Sequence, residues 1–354
     1  MSISEAIESE VLLEKRGFAG VITLNRPKQL NALSHQMVRA IYPQMLDWKN
    51  DPSVTRVIVR GVGEKAFCAG GDIRALYDLG KAGKIDEALP FWREEYALNH
   101  LLKNFPKPIV SLLNGIVMGG GVGLSFHGSY RVGTEKLKFA MPEVSIGFFP
   151  DVGASHFLPR LKHHVGTYLA ITGAMLGLGD AMDLGLMTNA VESKNIPEVF
   201  NELLSHNSVD LVLERFAMAE VPSAPLAESY PMIADIFQEQ SIAHIIAGLG
   251  QMALGGSHFA ARTLDLLHQK SPTSMAVALR QMQLGKDMNF AEAMQMEYRI
   301  VSRIIKGDDF YEGVRAVIID KDNLPCWKPQ LINDVTDEIV NAHFMPLSEE
   351  LVLS

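Results

Sequence analysis

Cysteine is scarce in this 354-residue chain. Cys68 and Cys326 are the only two, far apart and in no metal-ligand spacing, which excludes a disulfide framework and a thiolate metal centre and fits reduced thiols in a reducing compartment. Long apolar runs are missing too, and none reaches the roughly 20 residues that a membrane-spanning helix requires. The N-terminus, MSISEAIESEVLLEKRG, places four glutamates ahead of Lys15 and has no apolar centre, so it reads neither as a signal peptide nor as an Arg-rich transit peptide. Cytoplasm is therefore the expected location. Nor is there an excess of positive charge: 32 Lys and Arg stand against 41 Asp and Glu, a net charge of -9. That balance argues against a nucleic-acid partner held by phosphate neutralisation and leaves room only for a local basic site. With 47% hydrophobic and 21% charged residues, what remains is a soluble globular protein with ample material for a core.

Along the chain, FAGVITLN (18 to 25) and RVIVR (56 to 60) are short, β-branched and bounded by turn signals, which predicts strands. Ser34 is a plausible N-cap for a helical stripe of Met37, Ile41 and Met45, although Pro43 inside that stripe argues against an unbroken helix. KPIVSLLNGIVMGGG (107 to 121) predicts a buried strand pair running into glycines. Strand, loop and helix recur to about residue 205, an α/β pattern, and from 206 to 354 only helix signals remain. The clearest of these is MNFAEAMQMEYRIVSRII, with Phe290, Met294, Tyr298, Val301 and Ile305 on one face.

Two glycine stretches invite a chemical reading. MGGGVG (118 to 123) follows an apolar run and opens a helix, where free backbone N–H groups gather. It lacks the Gly-Lys-Ser/Thr of a P-loop and the third glycine of a dinucleotide fingerprint. AGLGQMA (247 to 253) fits the loose fingerprint but lies in helical sequence. FCAGGDI (67 to 73) is a second place where the backbone could approach a ligand closely. Two N–H-rich turns in one domain could together form an oxyanion hole, or either could be tight packing alone.

Side-chain nucleophiles fare worse. GLSFHG (123 to 128) misses the G-x-S-x-G elbow by one position, which makes Ser125 a helix residue. Of eleven histidines none forms H-E-x-x-H, and His127 and His156 read as structural. Carboxylates are left as acid/base candidates: Glu143 and Asp151, at the two ends of MPEVSIGFFPD, and the adjacent Glu94 and Glu95, of which Glu94 reads as solvated.

AFCAGGDI, NGIVMGGGVGLS and FAMPEVSIGFFPDVGASHFLPRL resemble the enoyl-CoA hydratase/isomerase (crotonase) superfamily, and the likeness extends through ITLNRPKQLNAL (22 to 33) and FWREEYALN (91 to 99). SPTS (271 to 274) and DFYEGVRAVIIDKDNLPCWKP (309 to 329) resemble, within it, a branch that hydrolyses short hydroxyacyl-CoA thioesters. The resemblance implies a spiral of strand-strand-helix repeats over residues 1–205, completed by a C-terminal helical region over 206–354. It implies an acyl-CoA substrate whose thioester oxygen rests between the N–H groups of Gly71 and Gly120. CoA would be part of the substrate, with no separate cofactor or metal, and homo-oligomers would be in keeping with the family. Glu143 matches the family's general acid/base position, and the hydrolase pattern adds Asp151 and Glu95 around the substrate. Hydratases of the family carry a second glutamate where this chain has Gly123, which puts hydration in doubt. Arg26 and Lys28, in the NRPK turn, fall near the family's CoA-binding edge. The alternatives are an enoyl-CoA hydratase or isomerase of short-chain substrates and a catalytically silent acyl-CoA binder.

Overall fold

The computed structural model describes residues 9–205 and 207–353. Part of the acidic N-terminal stretch, and residue 206 at the change from mixed to helical sequence, lie outside them.

Strand β1 (Val11–Arg16) folds back on β2 (Ala19–Leu24) as an antiparallel pair through Gly17, whose φ of 55° suits a residue without Cβ. Every later pairing between strands is parallel. β3 (Arg56–Gly61) lies on β2, β5 (Ile109–Leu113) on β3, β7 (Tyr130–Gly133) on β5 and the two-residue β9 (Asn189–Ala190) on β7. A second, three-stranded sheet is laid down between them: β4 (Ala66–Cys68), β6 (Ile116–Met118) and β8 (Lys138–Ala140), in that order. The chain thus visits the long sheet, then the short one, then a helix, and repeats, which is the expected spiral of strand-strand-helix turns.

Both faces of the long sheet are covered. Along β2, Ile22 and Leu24 point into the main core while Ala19 and Val21 join Ile58, Val110, Leu112 and Val132 under the helices around Phe200 and Val212. Strands buried on both faces read as continuous apolar runs, which is why the strand signal was legible.

Ser34 caps the helix His35–Asn50 by accepting from Met37 N–H at 3.2 Å. That helix runs unbroken through Pro43, against the sequence expectation. Pro43 is on the exposed side, so the carbonyl of Arg39 that loses its N–H partner can face water. Beyond residue 207 the described elements are helical, among them Ile242–Leu254, Pro272–Gly285 and Phe290–Ile304. Phe290–Ile304 packs on the long helix Ile85–Lys103, and Pro272–Gly285 on Val165–Thr172.

The short sheet decides where the site lies. Its strands are parallel neighbours, so their C-terminal ends are side by side, the edge at which open α/β sheets collect ligands. Gly71, Gly120 and Glu143 each follow one of these ends within three residues.

Candidate active site

A parallel bridge between Leu33 and Gly71 fixes which way the Gly71 N–H faces. Leu33 N–H donates to the Gly70 carbonyl (2.8 Å) and Asp72 N–H to the Leu33 carbonyl (2.9 Å), so the N–H of Gly71 itself is turned to the opposite side. Gly120 opens the helix Gly120–Ser125, whose first N–H groups have no partner within it. A Cβ added to Gly120 would lie 3.3 Å from Gly71 N and 2.9 Å from Glu95 Oε1, which shows how closely the two turns and this acid approach one another. Preceding Gly120, Gly119 has φ 45°, and a Cβ there would come within 3.0 Å of Glu143 Oε1.

Around these turns is a cavity of about 260 Å³. Gly71, Gly120, Glu95, Glu143 and Asp151 line it, walled by Phe91, Trp92, Phe148 and Ile146. Each acid reaches it from a different element. Glu95 comes from the middle of the helix Ile85–Lys103, Glu143 opens the short turn Glu143–Ile146 after Pro142, and Asp151 follows Pro150. Trp92 and Phe148 stack with ring centroids 5.8 Å apart, and Phe148 meets Phe149 at 4.8 Å, so the apolar run between the two acids forms an aromatic wall of the cavity.

Three carboxyl groups buried so close together cannot all ionise easily. Burial, then the neighbouring Asp151, holds Glu143 well above the ordinary carboxylate range. Glu95 is raised in the same way by burial, Asp151 and Glu297. Asp151 is pushed up to about 7 by burial, against the opposing pull of a hydrogen bond that Tyr96 O–H donates to its Oδ2 at 2.9 Å. Glu95 Oε1 and Glu143 Oε2 are buried without a hydrogen-bond partner among the described residues, so both oxygens can bond a molecule held in the cavity.

Two sequence segments outside the spiral complete the pocket. Ser271 N–H donates to the Val144 carbonyl, and Ser271 Oγ–H donates to Asp309 Oδ2 at 2.6 Å, tying SPTS both to the turn of Glu143 and to the helix Asp308–Val314. That helix continues into a π-helical turn, Arg315–Ile319, from which Val317 and Ile318 enter the cavity wall.

Gly123 is closed to any side chain. A Cβ there would lie 2.9 Å from both Asn99 Nδ2 and Val152 Cβ, so the space a second glutamate would need is filled.

Arg26 and Lys28 do not line the cavity. The Arg26 guanidinium is paired with Asp72 (2.8 Å) and Glu10 (3.1 Å) and donates to the Ala32 carbonyl (2.8 Å), which anchors the turn of Gly71 from behind; Lys28 is exposed. Glu94 is half-buried rather than simply solvated, bound by Arg39 (2.7 Å) and His35 (2.9 Å). Ser125 donates to the Gly121 carbonyl within its helix, and His127 Nε2 lies 2.8 Å from the Val152 carbonyl, both structural tasks. Burial pushes the Cys68 thiol up to about 12, which makes it inert. Residues 247–253 lie inside the helix Ile242–Leu254, without the strand that a dinucleotide site needs.

Sequence reasoning missed Tyr96 and Glu297. A signal existed for Glu297: it lies three residues after Met294 and four before Val301, so an acid stands on the apolar face of its own helix.

The family model of enoyl-CoA hydratase/isomerase matches residues 19–344. The 3-hydroxyisobutyryl-CoA hydrolase, mitochondrial, of Xenopus tropicalis is 47% identical over 96% of this chain and 90% of its own length. Its counterpart of the same name in Homo sapiens is 46% identical over 96% of this chain and 89% of its own. Among solved structures, a carnitinyl-CoA dehydratase from Mycobacterium thermoresistibile superposes with a TM-score of 0.92 at 38% identity, covering 98% of this chain and 99% of that one. An enoyl-CoA hydratase from Rhodobacter sphaeroides 2.4.1 gives 0.89 at 37%, covering 98% and 100%. The curated relatives are named mitochondrial, which overturns the expectation of a cytoplasmic protein. Low cysteine content and free thiols report a reducing environment and do not distinguish one such compartment from another. In its spiral, in the three strand ends that meet at the cavity and in sequence over nearly its whole length, the chain belongs to the enoyl-CoA hydratase/isomerase family.

Proposed function

We propose that this protein is an acyl-CoA thioester hydrolase that cleaves 3-hydroxyisobutyryl-CoA, the activity its curated relatives are named for, and so serves valine breakdown. 3-Hydroxypropionyl-CoA, one methyl group smaller, is a second substrate of the same shape. The observation that carries the reading is the pairing of an acid-lined cavity with a closed position at Gly123. Hydratases of the family place the second carboxylate that delivers hydroxide and proton at the position of Gly123, where a side chain has no room here; the further acids of this cavity, Glu95 and Asp151, come from other elements. The solved structures of a dehydratase and a hydratase share the fold, and fold alone does not settle chemistry.

In this reading the thioester oxygen rests on the N–H groups of Gly71 and Gly120, which stabilise the charge that develops when the carbonyl carbon is attacked. Glu143, ionised, is the attacking group or the base that takes a proton from water. By the first route its oxygen bonds to the acyl carbon, the C–S bond breaks to release CoA as thiolate, and water then hydrolyses the mixed anhydride. By the second, water supplies the new C–O bond directly. Desolvation makes the Glu143 anion scarcer but more basic and more nucleophilic than a carboxylate in water. Asp151 and Glu95 orient the 3-hydroxyl or the hydrolytic water. With Arg26 committed to Asp72 and Glu10, Lys28 is the residue of that turn left to meet CoA phosphates.

The test is release of free thiol. Purified protein incubated with 3-hydroxyisobutyryl-CoA should liberate CoA-SH, followed with a thiol reagent. A hydratase would alter the acyl chain of an enoyl-CoA without releasing thiol, and a silent binder would do neither.

A further inference from the structure

Asp151 sits in a turn that the backbone would not adopt unaided. Next to it Val152, β-branched and fully buried, has φ 52°, and Gly153 follows at φ 92°. A β-branched residue in the left-handed region persists only where the surroundings over-determine it.

Those surroundings come largely from the C-terminal helices. Glu297, on Phe290–Ile304 and fully buried, spends both carboxyl oxygens on the turn: Gly153 N–H donates to Oε2 at 2.8 Å and Ser155 N–H to Oε1 at 3.0 Å. From Pro272–Gly285, Gln281 donates through Nε2 to Ser155 Oγ at 2.7 Å and to the Pro150 carbonyl. Tyr96, which donates to Asp151, packs edge-on against Tyr298, the residue after Glu297. Two backbone donors two residues apart need two acceptors, and a carboxyl group supplies both where an amide supplies one.

We propose that Glu297 is a positioning residue for thioester hydrolysis: it clamps the turn 150–155 and so holds Asp151 in register with a thioester bound at Gly71 and Gly120. The inference rests on the hydrolase reading, in which Asp151 orients the substrate. It gives the C-terminal helices a part in turnover although Glu297 does not line the cavity.

A double-mutant cycle on thiol release tests it. Glu297→Gln removes one acceptor, and kcat should fall about 10–100-fold, because a misplacement of about 1 Å costs up to about 10²-fold, while KM moves less than about threefold. Glu297→Asp, which keeps two acceptor oxygens, should recover part of the loss. In an Asp151→Asn background, Glu297→Gln should change kcat by less than about threefold, since the group being positioned is gone. Equal fold-losses in the two backgrounds would overturn the proposal in favour of a general structural role. So would an unchanged kcat in Glu297→Gln. If Glu297→Gln does not fold, Gln281→Met, which removes the other support of the turn at similar volume, carries the same cycle with the same expected and overturning outcomes. A silent Asp151→Asn would also sink the proposal, and distinguishably, because it strikes the assignment of Asp151 itself while the losses in the Glu297 variants would persist.

Discussion

Replacing Glu143 with glutamine separates a group kept for chemistry from one kept for the fold. Glu143 is 7% exposed, its Oε2 has no hydrogen-bond partner among the described residues, and its burial beside Asp151 disfavours the anion. An amide of the same shape therefore forfeits no protein hydrogen bond at that oxygen and removes a carboxylate whose ionisation the site resists. At pH 8 the midpoint of thermal unfolding of Glu143→Gln should equal or exceed that of the parent. Activity should move the other way. Loss of a general base is worth on the order of 10²–10⁴ in rate, or about 2.7–5.4 kcal/mol at about 1.36 kcal/mol per tenfold, and loss of a nucleophile at least as much. Thiol release from saturating 3-hydroxyisobutyryl-CoA, with substrate binding measured separately on the variant, gives kcat without confusing it with affinity. A stabilised, substrate-binding and inactive variant is the expected result. Turnover within about tenfold of the parent would refute the role of Glu143, and a large loss of stability would refute the claim that its carboxylate is unpartnered.

Gly120→Ala puts a Cβ 2.9 Å from Glu95 Oε1 and 3.3 Å from Gly71 N, so kcat/KM should fall by about 10²–10³, the cost of losing one aligned oxyanion donor, with a far-UV spectrum like the parent's. Isobutyryl-CoA, which lacks the 3-hydroxyl, should be hydrolysed with a much lower kcat/KM than 3-hydroxyisobutyryl-CoA, because Asp151 and Glu95 are left unpaired; equal rates would remove them from substrate recognition. The ascending limb of kcat/KM against pH should lie above the ordinary carboxylate range, since Glu143 must ionise from a pKa that burial raises. Stability should show the opposite slope: Asp151, pushed up to about 7, binds more protons in the native than in the unfolded chain between about pH 4 and 7, so unfolding free energy falls as pH rises through that window. Asp151→Asn should lose its own share of that decline and leave a shallower one, carried by Glu143, Glu95 and Glu297, which burial also raises, and chemical denaturation at pH 5 and pH 8 measures the difference.

Much of this protein was legible from local pattern. β-branched runs marked β2, β3 and β5 because strands buried on both faces must be apolar throughout. Glycines flagged both backbone turns, and two acids in an apolar run were conspicuous because carboxylates are seldom buried without cause. Pattern also ranked Glu143 and Asp151 above the histidines and Ser125, which the fold occupies with carbonyl contacts. Tertiary structure decided the rest. Three strand ends far apart in sequence become neighbours only through parallel pairing of the short sheet, so convergence of Gly71, Gly120 and Glu143 is a property of the sheet and of no single segment. The commitment of Arg26 to Asp72 and Glu10 depends on residues up to 46 positions away, which no window on the NRPK turn contains. Glu297 grips Gly153 from 144 positions further along the chain. A helical pattern records that one face is buried; what that face touches is set only when another part of the chain arrives.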